Sequence, residues 1–145
     1  MKARKSIITV ALFLVGFTLG GILFANAPTQ AADEETRVFE LRTYVTNEGK
    51  LDDLHARFRD HTTQLFKKHG MDVIGYWVPV EGDEAKNTLV YLLGHKSADA
   101  AEASWEAFGE DPKWRAAYKA SVADGGLVDD VESVFLNPTD YSPMK

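Results

Sequence analysis

The segment Leu89-Val90-Tyr91-Leu92-Leu93 is apolar at every position, with no side left polar for water. Bounded by Asn87-Thr88 and by Gly94, it has the length of a strand. A strand apolar on both faces is covered on both. The whole chain has 145 residues, which is room for one ordinary domain. One small domain must therefore find two layers of cover for one sheet.

The surrounding pattern predicts where the first layer comes from. Val38 to Tyr44 alternates with period two and reads as strand 1, broken by Asn47-Glu48-Gly49. A helix is expected from Lys50 to Lys68, with Leu51, Leu54, Phe58, Thr62 and Leu65 on one stripe and Gly70 as a left-handed stop. Met71 to Val78 reads as strand 2, followed by a polar turn over Glu81-Gly82-Asp83-Glu84 and strand 3 from Thr88 to Gly94. Ser97 suits the N-cap of a second helix, which Asp111-Pro112 restarts as cap and first helical residue. Leu127 to Leu136 reads as strand 4.

The order β-α-β-β-α-β, with right-handed crossovers, predicts an α+β ferredoxin-like fold. Its four-stranded antiparallel sheet has order 4-1-3-2 and both helices on one face. Alternation is expected to turn Phe39 and Leu41 toward the helices and Glu40, Arg42 and Tyr44 to the helix-free side. With the helices all on one face, a second copy of the chain is the economical cover for the other. A homodimer through the helix-free sheet face is the expectation.

The N-terminus differs in kind. Lys2, Arg4 and Lys5 precede an apolar stretch from Ile7 to Ala25, and no acidic residue occurs before Asp33. This is the pattern of an export signal over residues 1–31, cut after Ala31 in Thr29-Gln30-Ala31 rather than before Pro28. The alternative is an uncleaved anchor, since a helix over residues 7–25 would reach roughly 28 Å. Residues 32–36 are then a short linker and 37–143 the folded domain, periplasmic or secreted if the source is bacterial. Membrane contact is expected only if the segment stays uncleaved.

Cutting at Ala31 leaves 13 basic residues against 22 acidic ones, a net charge of −9. That balance argues against nucleic acid, which requires a basic stripe. There is no cysteine, hence no disulfide, thiolate ligand or thiol nucleophile. No paired-histidine metal motif, nucleophile elbow or phosphate-cradling glycine loop occurs.

Six segments together closely resemble the NIPSNAP domain. They are Phe39-Glu40-Leu41-Arg42-Thr43-Tyr44, Gly49-Lys50-Leu51, Leu65 to Met71, Gly75-Tyr76-Trp77, Leu89 to Leu93, and Trp105-x-x-Phe108-x-x-Asp111-Pro112-x-Trp114. The resemblance spans roughly residues 37–143 and implies a dimeric α/β barrel. It implies little about chemistry, because the family has no agreed catalytic activity.

The candidate site residues lie on the central strands. Arg42 would hold an anionic group and Tyr44 would donate a hydrogen bond, with Trp77, Tyr91 and His95 as further ligand-binding candidates. The competing reading is structural: Glu40, Arg42 and Glu132 form an ion-pair network that fixes dimer register. His69 is expected to cap the first helix, and Trp105, Phe108, Trp114 and Tyr118 to pack the second.

Two functions fit. The first is a dimeric module binding a small aromatic or acidic molecule, or a protein. The second, by fold analogy, is a cofactor-independent monooxygenase or haem-binding enzyme in which Arg42, Tyr44, Trp77 and His95 converge. The sequence requires no cofactor, and whether the protein is an enzyme stays open at this point.

Overall fold

The computed structural model describes residues 37–145, so the expected export signal, anchor and linker lie outside the described residues. The strands are β1 (Val38–Thr46), β2 (Asp72–Trp77), β3 (Thr88–His95) and β4 (Val128–Leu136). They form one antiparallel sheet in the order β2-β3-β1-β4, the arrangement expected from the sequence. The long first helix has three parts: α1 (Leu51–Arg57), a π-helical turn over Phe58–Thr62, and α2 (Thr63–Lys68). Two further helices follow β3, namely α3 (Ala98–Glu110) and α4 (Pro112–Ser121).

Local chemistry sets the helix ends as expected. Ser97 accepts from the Ala100 N–H at the start of α3, and Asp111 accepts from the Lys113 N–H at the start of α4. Gly70 sits at φ 79°, closing α2 in the left-handed region. His69 does more than cap. Its Nε2 lies 2.8 Å from the Asp111 carboxylate, which also receives Lys68, so the first helix is tied to the α3–α4 corner. These two donors hold Asp111 well below the usual carboxylate range despite the opposing effect of burial.

The π turn answers a spacing problem. Leu54, Phe58, Thr62 and Phe66 are all buried, at intervals of four. At about 100° per residue an unbroken α-helix would overshoot three turns by about 120° across those twelve residues. One inserted residue takes up most of that excess and keeps the four on one face. The Thr62 hydroxyl donates to the Arg57 carbonyl at 3.2 Å and the Thr63 hydroxyl to the Phe58 carbonyl at 2.9 Å. Both hydroxyls serve carbonyls in the stretch where the α-helical ladder is interrupted.

The core lies between helices and sheet. Leu54, Phe58, Leu65 and Phe66 pack on Leu89, Tyr91 and Leu93. Phe58 meets Tyr44, Phe66, Tyr76 and Tyr91 edge-on, with centroids 5.2 to 6.1 Å apart.

The strand parity expected from the sequence is inverted. Glu40, Arg42 and Tyr44 point beneath the protomer's own helices, and Phe39 and Leu41 occupy the helix-free face. The reason is satisfaction of polar groups: α3 brings an indole N–H to Glu40, which the helix-free face does not supply. The relation among the central strands holds, since Arg42 pairs with Tyr91 across the ladder and His95 lies on the same side. The helix-free face consequently loses Glu40 and Arg42, while Glu132 and Asp130 stay on its β4 side. It carries Leu41, Val90, Leu92, Val134 and Leu136, the last two about 40% exposed.

Gly70 offers a clean check of the backbone argument. An added Cβ would meet only Ser104 Oγ, at an ordinary 3.7 Å, so strain at positive φ is the sole penalty. Gly70→Ala should therefore lower unfolding free energy by about 1–2 kcal/mol in urea titration, with an unchanged m-value.

Candidate functional site

Glu40 is the best-connected side chain in the domain. Its Oε1 accepts from Arg42 Nη1 at 2.6 Å and Ser133 Oγ at 2.7 Å. Its Oε2 accepts from Trp105 Nε1 at 2.7 Å and His95 Nε2 at 3.0 Å. The side chain is 1% exposed, and burial alone would raise its pKa. Hydrogen bonds from His95, Ser133, Trp105 and Arg42 outweigh burial and bring the carboxyl down to about 2. Charge-assisted bonds at ~1.5–3 kcal/mol each are together large enough to reverse a desolvation penalty of several kcal/mol.

This network lies within one protomer. The expected Glu40–Arg42 contact is present. The third member is Ser133 rather than Glu132, because Ser133 is the ladder partner of Arg42. Glu132 pairs with Thr43 and so stands on the opposite face. Arg42 also lies 4.5 Å from the Trp105 ring centroid and 5.5 Å from that of Tyr44. Desolvation lowers its pKa, but Tyr91, Tyr44 and Glu40 more than restore it, leaving it above the ordinary arginine value.

The five sequence candidates do not converge. Arg42, Tyr44, Tyr91 and His95 share the helix side, whereas Trp77 lies across the sheet, over Gly75 and half exposed. The His95 side chain is fully enclosed with Nε2 turned to Glu40. Tyr91 is also fully buried, and burial pushes its phenol pKa well up. Of the four on the helix side, Tyr44 lines a cleft walled by aromatic rings.

That cleft, of about 300 Å³, lies between sheet and helices. Tyr44, Phe58, Trp105, Trp114 and Tyr118 wall it, and Asp129 lies at its β4 side. Arg57 enters from the end of α1, 5.4 Å from the Trp114 ring centroid and 5.5 Å from that of Tyr118. Contacts of this kind contribute roughly 0.5–2 kcal/mol to holding a guanidinium. Trp114 and Tyr118, expected only to pack, are thus cleft walls as well. Arg57 was missed altogether, although the sequence carries its signal: it stands in the apolar stripe, three after Leu54 and beside Phe58.

The flat ring surfaces suit an apolar, planar small molecule, and Arg57 supplies the polar orientation such sites require. The ionised, fully occupied Glu40 holds Trp105 and Arg42 in place behind the wall.

The NIPSNAP family model matches residues 39–143. A search among curated proteins found no match. A NIPSNAP family protein from Agrobacterium tumefaciens is similar at 24% identity, with a TM-score of 0.66 over 75% of this chain and 99% of that one. A NIPSNAP-like domain protein from Burkholderia xenovorans is similar at 17% identity, with a TM-score of 0.65 over 75% of this chain and 90% of that one. A protein from Bacteroides thetaiotaomicron described as an antibiotic biosynthesis monooxygenase gives 14% identity and a TM-score of 0.52, over 77% and 97% of the two chains. At these identities the likeness to solved structures shows the fold alone.

Glu40 sets an acid-stability prediction. Its folded pKa of about 2 lies below the ordinary 4.5, so its contribution is complete above 4.5 and is lost as pH falls toward 2. Glu40→Gln should cost about 3 kcal/mol at pH 7, as expected when one partner of a buried pair is neutralised. The gap between variant and wild type should narrow across that window in denaturant melts.

Proposed function

This chain belongs to the NIPSNAP family, and on that footing we propose that it is an exported, homodimeric binding module for a small apolar molecule. The observation that carries the reading is the cleft of about 300 Å³ lined by seven aromatic side chains, Phe66 and Phe108 among them. The pairing of two copies is supported by the helix-free face, now free of charge at Leu41, Val90 and Leu92. Trp77 adds a half-exposed indole at the same face. Export is supported by the basic start and apolar stretch of residues 1–31.

An oxygenase or haem-enzyme reading has less support. Its convergent residues are separated by the sheet, with Trp77 on one side and Arg42, Tyr44 and His95 on the other. The His95 ring is fully enclosed, with Nε2 on Glu40 and Nδ1 sealed from solvent, so iron could reach neither nitrogen without local opening.

Binding is tested by titrating bicyclic aromatic compounds while following tryptophan emission, since Trp105 and Trp114 face the cleft. Saturable quenching is expected. Tyr118→Ala removes a half-exposed wall and should weaken binding roughly two- to tenfold without unfolding the protein. Quenching that never saturates, or that Tyr118→Ala leaves unchanged, would overturn the reading.

Dimerisation is tested by sedimentation at micromolar concentration. The wild type is expected near twice the protomer mass, and Leu92→Lys near the protomer mass, because a lysine there would be desolvated against the second sheet. A wild-type monomer would refute the pairing.

A further inference from the structure

Two arginines are buried against the same aromatic core, and they differ in one respect. Arg42 has a carboxylate partner in Glu40. Arg57 is 5% exposed, and no carboxylate of the described residues forms an ion pair with it. Of its N–H donors, Nη1 reaches Ser121 Oγ at 3.3 Å, while the buried Nε has no acceptor. Burial lowers the Arg57 pKa, opposed by Tyr44, Tyr118 and Tyr91, yet a guanidinium keeps its charge at neutral pH. A desolvated cation with no carboxylate partner, lining a cleft walled by aromatic rings, is a half-made recognition site.

The charges on each side choose the ligand further. Arg57 stands in the wall between the cleft and an open depression lined by Asp53, Asp60 and Asp124, with Lys50 and His61. Three carboxylates disfavour an anion on that side. On the cleft side Asp129 is the one acidic wall residue. A single guanidinium, in a cleft that also holds one carboxylate with which it forms no ion pair, suits one negative charge rather than a doubly charged phosphate.

Resting on the cleft reading above, we propose that the ligand is a small aromatic monocarboxylate. Its carboxylate accepts from Arg57, and its ring lies among Phe58, Trp105, Trp114 and Tyr118. The proposal joins two independent features, the planar apolar walls and the unpaired cation, in one molecule.

The test compares two probes of nearly equal shape, 1-naphthoate and 1-naphthalenemethanol, titrated into the full chain. Naphthoate should bind on the order of 10- to 100-fold more tightly, the span of one charge-assisted bidentate contact. In Arg57→Met that preference should vanish, the two probes binding with equal affinity. The unliganded variant should also melt at a higher temperature, because a desolvated cation has been removed. Equal binding of the two probes to the wild type overturns the carboxylate assignment and leaves the cleft reading intact. A preference that survives in Arg57→Met overturns the role of Arg57. Failure of both probes to bind overturns the cleft reading itself. The wild-type comparison needs no variant, so it decides even if Arg57→Met does not fold.

Discussion

One carboxylate sets the orientation of the central strand. Glu40 sits under α3 with four donors around it, and an ionised group so deep in the fold is tolerated only with such partners. Each donor comes from a different part of the chain: β1 itself, β3, α3 and β4. The side chain therefore joins three strands and a helix at a single point, and it fixes which face of β1 turns inward. Arg42 and Tyr44 follow at alternate positions, and the aromatic cleft takes its floor from that choice.

Much of the fold is legible in the sequence because its signals are local. Ser97, Asp111-Pro112 and Gly70 mark helix ends through hydrogen bonds or φ angles that involve near neighbours. The doubly apolar β3 marks the sheet centre without knowledge of its partners. Strand order follows from crossover handedness once the elements are placed.

The side of the sheet is a different kind of question. Hydrophobicity alone assigns Phe39 and Leu41, rather than Glu40 and Arg42, to the helix side, and that assignment points the wrong way. The outcome depends on donors at Trp105 and Ser133, 65 and 93 residues away from Glu40. Such long-range satisfaction has no signature in strand periodicity. Arg57 was legible in principle, since a charged residue within a helix's apolar stripe is an informative exception. The π turn that keeps Phe58 and Thr62 beside it was not, because a run spaced 51, 54, 58, 62 and 65 is equally compatible with an unbroken helix.

That π turn also makes the helix tolerant of length change in an unequal way. Loss of one residue between Phe58 and Thr62 could be absorbed by relaxing to ordinary α geometry, with no loop to rebuild and the hydrophobic packing of either end retained. The segments before and after the deletion would keep their relative orientation, because the wide turn is what absorbs the inserted residue's roughly 100°. Arg57 and Phe58 would stay against their present ring neighbours. The extra residue can thus come and go by a single codon while the cavity beside it endures, so chain length at this point is inherited separately from what the scaffold holds.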